Sequence, residues 1–292
     1  MKIRYALPAI AAVAALALAG CTNNEENESG SSSGPEGSAS KSVVTFDDIK
    51  ASGKLVIATD AEYPPNEYKD ENGDPTGWGV DLANAVADQL GLDPEWEIMG
   101  FDSILPRLEE GVVNMGSSSF TDNAERQKTV DFVNFLNAGS QWAAPKGSDV
   151  DPDDACGLTV AVQQGTVQHT DELPAKNEQC EADGKDPIEI LPFDGQPEVT
   201  NAVINGQADA FSADSPVTGD AVAKTDGQLQ LVGELFDAAP YGFAVQKDSG
   251  MAEAVQEALQ ALMDDGTYLD ILKKAGIESG ALTEATINAA EN

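Results

Sequence analysis

The residues with the clearest chemical potential form one run, Gly116-Ser117-Ser118-Ser119-Phe120-Thr121-Asp122-Asn123-Ala124-Glu125-Arg126. It follows a short apolar segment (Val112, Val113, Met115) and places small hydroxyl side chains ahead of a single arginine. Thr121 with Glu125 four places on reads as a helix start. The pattern therefore predicts a strand end entering a helix N-terminus, where backbone N–H groups, hydroxyls and a planar guanidinium converge on a volume that suits a carboxylate. The alternative is a polar turn with a solvated arginine. Asp214, ahead of Ser215-Pro216, is either a helix cap or a carboxylate free to meet a cation. Tyr63 and Phe101 are core aromatics by default, Gln163-Gln164-Gly165-Thr166 reads equally as a plain strand-to-helix turn, and His169 as a solvated helix residue.

The elements that must position these groups alternate between strand and helix. Lys54–Thr59 reads as a buried strand, and Val80, Ala83, Val86, Ala87 and Leu90 fall at helical spacing before Gly91. Glu95–Met99 is a second strand, Asp102 caps a helix ending at Gly111, and extended structure resumes at Thr129–Phe132. The alternation then restarts, with strands at Leu158–Val162, Ile188–Leu191, Ala208–Ala213 and Tyr241–Gln246. Helices follow at Pro197–Gly206, from Ser215, at Met251–Asp265 and at Tyr268–Lys274. This is the signature of an α/β fold with mostly parallel sheets and binding loops at strand ends. Two such halves predict two lobes with a cleft between them. The tail from Ser279 reads as loosely attached.

Composition narrows the partners. The chain has 292 residues with Lys+Arg 16 against Asp+Glu 51, a formal net charge of −35. So acidic a surface repels phosphate backbones, which argues against nucleic acid. At the N-terminus Lys2 and Arg4 precede an apolar run from Ala6 to Gly20, the form of an export signal and too short to span as a mature helix. Leu18-Ala19-Gly20-Cys21 resembles the bacterial lipobox, which implies lipidation at Cys21, with a plain secretory signal as the alternative. Residues 22–42, rich in Ser, Gly, Asn and Glu, read as a flexible tether. Cys156 and Cys180 remain, an even pair in an exported chain, and a bridge between them closes a loop of about 25 residues. Two thiols and one His offer no metal-ligand spacing, and no cofactor motif is present.

Six motifs in order carry a resemblance: Ala58–Pro65, Asp81–Ala87, Phe101–Pro106, Ser118–Thr121 with Arg126, Val160–Thr166 and Ala208–Pro216. Together, across Lys54 to about Ile277, they resemble the bacterial extracellular solute-binding proteins, family 3, which feed polar amino acids to ABC importers. The resemblance implies a two-lobed clamshell of the type II periplasmic-binding-protein fold. Its lobe 1 comprises residues 44–140 and 241–282, and lobe 2 residues 141–240. The crossings fall near Ala138–Trp142 and Ala238–Tyr241, with residues 1–20 as signal peptide, 21–43 as tether and 283–292 as a loose tail. It further implies that Arg126 grips the ligand α-carboxylate by a bidentate pair, helped by Thr121 and the backbone at Thr166, with Gln164 also among the ligand-binding residues. Asp214, Ser119 and the carbonyl of Ser118 meet an ammonium, Tyr63 and Phe101 wall the side chain, and Asp60 lies at its far end. The chain departs from the family at Asn66, where an aromatic is usual, at Trp78-Gly79, where a smaller ring and an acid are usual, and at Val167, where a hydroxyl residue is frequent.

The expected function is capture of an amino acid by a monomer held to the outer face of the cell membrane by its lipid alone, and delivery to an ABC permease with its cytoplasmic ATPase. Asp60 and Glu62 favour a cationic side chain, whereas Gln163, Gln164 and Asn66 suit an amide or an acid, and the residues alone leave this open. Two other readings stand beside it: an enzyme resembling the cyclohexadienyl dehydratases on the same scaffold, and a ligand-sensing module without transport. The enzyme reading lacks a base, since the single His lies away from the hydroxyl run.

Overall fold

The computed structural model describes residues 43–290. The expected signal peptide (1–20), the lipid site at Cys21 and all of the tether but its last residue lie outside the described residues.

Helix α1 (Phe46–Ser52) is closed at its start by reciprocal Thr45 and Asp48 hydrogen bonds, and it ends at Gly53 with φ 74°. Strand β1 (Lys54–Thr59) enters the core, then a small antiparallel sheet forms from β2 (Glu62–Tyr63), β3 (Glu67–Lys69) and β4 (Pro75–Thr76). Helix α2 (Trp78–Leu90) buries the apolar stripe Val80, Leu82, Ala83, Val86 and Ala87. Strand β5 (Asp93–Ile98), helix α3 (Phe101–Glu109) and strand β6 (Met115–Thr121) complete the first half. Two long strands, β7 (Val130–Pro145) and later β11 (Leu229–Gln246), tie the halves together. Between them lie β8 (Thr159–Gln163), α4 (Leu173–Ala182), β9 (Glu189–Phe193), α5 (Gln196–Ile204), β10 (Ala210–Asp214) and α6 (Ser215–Lys224). The chain closes with α7 (Met251–Asp265), α8 (Thr267–Ala275) and β12 (Ala281–Ile287).

Among the described residues the main sheet runs β5-β1-β6-β11-β7-β10-β8-β9, with β12 also on β7. Its outer wings are parallel (β5, β1, β6 and β10, β8, β9), as strands returning through helices must be. The β7–β11 ribbon between them is antiparallel. Its regular pairing breaks between Val232 and Ala239, opposite Ala138–Trp142, where the chain passes from one wing to the other. Broken ladder pairing leaves this part of the ribbon easier to bend than its ends. The first half is built around Leu55, Ile57, Leu82, Val86, Phe135, Phe243 and Leu259. The second half packs around Trp142, Val160, Val162 and Leu173. Cys156 and Cys180 form a disulfide that pins α4 to the segment before β8.

Three expectations change. The tail is not loose: β12 pairs with β7 from Val133 to Leu136, and the Asn288 backbone N–H donates to the Phe132 carbonyl. The Ala289 and Ala290 N–H groups then donate to the buried side chains of Asn134 and Asp122. No α-helix follows Thr121; the chain makes a single 3-10 turn, Arg126–Lys128, before β7 begins. Asp122 accounts for this: it is buried, accepts from Gln127 Nε2 and Asn134 Nδ2, and donates its N–H to Pro240. Finally, α3 starts two residues earlier than its Asp102 cap would require, with Gly100 at the cap position.

Candidate functional site

The C-terminal end of β6 is where the first half offers its chemistry. Ser119 sits at φ 50°, a left-handed conformation that a non-glycine residue adopts only when its surroundings hold it there. The pairing of β6 with β11 shifts register across the same residues. This kink sends successive side chains in different directions. Ser118 turns inward, its Oγ accepting the Asp60 backbone N–H at 3.0 Å, while Ser119 lines the pocket.

Arg126 comes back over the kink from the 3-10 turn. Its backbone N–H is held by Asn123 Oδ1 at 2.8 Å, and Nη1 donates to the Thr121 carbonyl at 2.8 Å. The guanidinium lies 5.5 Å from the Phe101 ring centroid and 5.6 Å from that of Phe120, and these two rings stack at 4.6 Å. Phe101 is therefore a platform for the cation as well as a wall. Burial lowers the Arg126 guanidinium to about 10, which leaves it charged at neutral pH.

The second half supplies the opposite face. Asp214 ends β10, and although it holds the cap position of α6 its side chain makes no capping hydrogen bond. Instead Oδ2 accepts from the Tyr63 hydroxyl at 2.9 Å and Oδ1 from Gln168 Nε2 at 2.8 Å. Gln168 opens a π-helical turn, Gln168–Glu172, a wide turn frequent at functional sites. Burial raises the Asp214 carboxyl, opposed by the Tyr241, Gln168 and Tyr63 hydroxyl and amide groups and by the Arg126 charge.

Contacts across the cleft are numerous. Tyr63 belongs to the first half but packs among Ala143, Ala161, Val199 and Phe211 of the second. Gln163 Nε2 donates to Asp60 Oδ2 at 2.6 Å, and Arg126 Nη2 donates to the Gly165 carbonyl at 3.0 Å. Gly165, at φ 81°, lets the two halves approach closely: a Cβ there would stand 3.2 Å from the Asp102 Cβ. These contacts describe a shut cleft. Asp60 is 3% exposed, and burial raises its carboxyl to about 7, with the Glu62 charge adding to the rise.

The pocket is lined by Asp60, Tyr63, Phe101, Ser119, Thr121, Arg126, Gln163, Thr166, Val167, Gln168 and Asp214. Two expected residues are not among them. Ser118, expected to act through its carbonyl, has its hydroxyl accept the Asp60 N–H, and Gln164 is exposed, donating to Asp102 Oδ2 at the rim of the cleft. Strand alternation explains the exchange of Gln164 for Gln163. Residue 163 shares the face of Ala161, which packs with Tyr63, whereas residue 164 lies beyond the strand end. Gln168 carried no signal in the sequence, because a π-turn has no periodicity of its own. His169 is half-buried rather than solvated, its Nδ1 accepting the Gly165 N–H at 3.2 Å.

Behind the pocket a further layer went unpredicted. Glu67 is fully buried and accepts the Ser119 hydroxyl, with both carboxylate oxygens at 3.0 Å. Asn66 Nδ2 donates to Ser119 Oγ at 2.9 Å, and Trp78 Nε1 donates to Asn66 Oδ1 at 2.8 Å. The departures at Asn66 and Trp78 are thus two ends of one hydrogen bond. Burial pushes the Glu67 carboxyl well up, and the charges of Asp60 and Asp214 add to that. Acceptors dominate the site: the Asp60, Glu67 and Asp214 carboxylates are all buried, and Gln163 Oε1 and Gln168 Oε1 find no donor among the described residues.

Comparison with known proteins agrees with this geometry. The chain is 42% identical over 238 residues to the arginine-binding protein ArgT of Corynebacterium glutamicum, a match covering 81% of this chain and 78% of that protein. A solved ancestral arginine-binding protein bound to arginine superimposes with TM-score 0.69 at 34% identity, covering 76% of this chain and 97% of that one. The ancestral amino acid-binding protein AncCDT-1, a precursor of cyclohexadienyl dehydratase, superimposes with TM-score 0.67 at 32% identity, covering 78% and 97%. These relatives are binding proteins, and the chain is read with them as a binding protein rather than an enzyme. Matching the profile of bacterial extracellular solute-binding proteins, family 3, over residues 55–277, the chain belongs to that family.

Proposed function

We propose that the protein captures a cationic amino acid, arginine foremost, between its two lobes and delivers it to an ABC importer while held to the outer face of the cell membrane by a lipid on Cys21. The observation that carries the cationic reading is the charge count of the pocket. Arg126 answers the carboxylate of the ligand, Asp214 answers its ammonium, and Asp60 is met by neutral donors, among them Gln163 Nε2 and the Phe101 backbone N–H. A buried acid raised to about 7 is one that a second positive charge would relieve. The orphaned Gln163 and Gln168 amide oxygens add acceptors for the several N–H groups of a guanidinium. A neutral or acidic side chain would leave Asp60 buried and uncompensated.

Arg126 and Asp214 come from different lobes, so a ligand pairs with both only when the cleft is shut. It binds the closed form better and shifts the population toward it. The relative of 42% identity is named for arginine, which accords with this reading. Calorimetric titration of the mature protein with the twenty amino acids tests it. Saturable binding of arginine, with lysine or histidine weaker, is expected. Binding to none of them, or preference for glutamate or glutamine, overturns the proposal.

A further inference from the structure

The Asn66–Glu67–Ser119 layer fixes the direction of one hydroxyl. Trp78 Nε1 can only donate, and it faces Asn66 Oδ1, so the amide nitrogen of Asn66 must face Ser119. That nitrogen occupies one lone pair of Ser119 Oγ. Glu67 faces the same oxygen with both carboxylate atoms; an ammonium on the pocket side of Ser119 favours the ionised carboxylate, which can only accept, so in the loaded site the Ser119 proton is drawn away from the pocket. What Ser119 shows to the cleft is its remaining lone pair. The backbone supports the arrangement, because Ser119 is held at φ 50° on the pocket wall. Gly79 supports it too: a Cβ at that position would stand 2.1 Å from Glu67 Oε1.

We infer that Glu67 is a specificity-determining positioning residue: it turns the Ser119 oxygen into an acceptor-only wall that favours a ligand ammonium and disfavours a hydroxyl in its place. Glu67 does not line the pocket, and it acts through Ser119 alone. The inference rests on the amino-acid reading above, and it adds a reason why the α-amino group in particular is selected. A wall already committed to accepting rejects a group that must also be donated to, because a buried polar atom left unpaired is costly.

The test compares arginine with its α-hydroxy analogue, 2-hydroxy-5-guanidinopentanoate, by calorimetry on the wild type, Glu67→Gln, Ser119→Ala and the double variant. In E67Q the amide nitrogen donates to Ser119 Oγ and sends the hydroxyl proton into the pocket. Arginine affinity is then expected to fall about ten- to a hundredfold, and affinity for the analogue by less than about threefold. In the Ser119→Ala background the Glu67→Gln change is expected to be silent, within about twofold. Gly79→Ala, which drives a methyl group into the Glu67 carboxylate, is expected to reproduce the narrowed preference and serves if E67Q does not fold. Equal losses for both ligands, an unchanged arginine affinity in E67Q, or a loss that persists in full without Ser119 would each overturn the inference while leaving the amino-acid reading in place. A wild type that binds neither ligand overturns both.

Discussion

At the residue scale the site rests on opposed charges placed where water is scarce. Arg126 is held by the Thr121 carbonyl and by two stacked rings, so truncating it removes the carboxylate partner without opening the core. Arg126→Ala is expected to weaken ligand binding by about a hundredfold or more, with a melting temperature close to that of the wild type. Unchanged affinity would mean that the carboxylate lies elsewhere. Asp60 gives the pH dependence. Its folded-state value of about 7 stands above that of an unfolded aspartate, so on its account the empty protein gains stability as pH falls through 7. A cationic ligand favours the ionised form, so affinity for arginine is expected to rise between pH 5.5 and 8 with proton release on binding, Asp214 and Glu67 contributing in the same direction. Asp60→Asn is expected to flatten that rise. A slope of the same size in the variant would assign the proton to another group. Most of these residues were legible because their types were unusual for their positions. Glu67 was not, since an exposed glutamate and a buried one read alike until Ser119 and Gly79 are seen beside it.

At the scale of elements, the alternation of strands and helices was readable because periodicity records which face is buried, and β1, α2 and α7 fall where that spacing puts them. Long-range pairing was not readable. β11 extends back to Leu229, well before the apolar run at Tyr241, because its first part pairs with β7 while burying little beyond Leu229 and Val232. The polar β12 becomes a strand only through β7, and its continuation reaches Asp122, the residue that anchors the Arg126 turn. The tail therefore braces the turn that carries Arg126. Deleting residues 281–292 is expected to cost about 2–4 kcal/mol in denaturant unfolding, from lost ladder bonds and side-chain contacts. An unchanged midpoint would return the tail to the status of an appendage. The false helix after Thr121 has a matching cause: Asp122 and Asn123 bind inward and close the turn, leaving too few residues before β7.

For the molecule as a whole, the two parallel wings are joined by one ribbon whose pairing is broken midway. The second lobe carries its own brace in the Cys156–Cys180 bridge, which spans 24 positions in sequence. Replacing both cysteines by serine is expected to lower stability by about 3 kcal/mol while leaving the ligand site intact, as melting and titration of the same variant will show. The cleft's surplus of buried carboxylate ties the molecule to its ligand, since closure without a cation leaves Asp60 and Asp214 poorly compensated. The most direct measurement of this claim is a calorimetric comparison of arginine with citrulline, which has nearly the same shape and no side-chain charge. Arginine is expected to bind at least about a hundredfold more tightly than citrulline. Equal affinity for the two would contradict it.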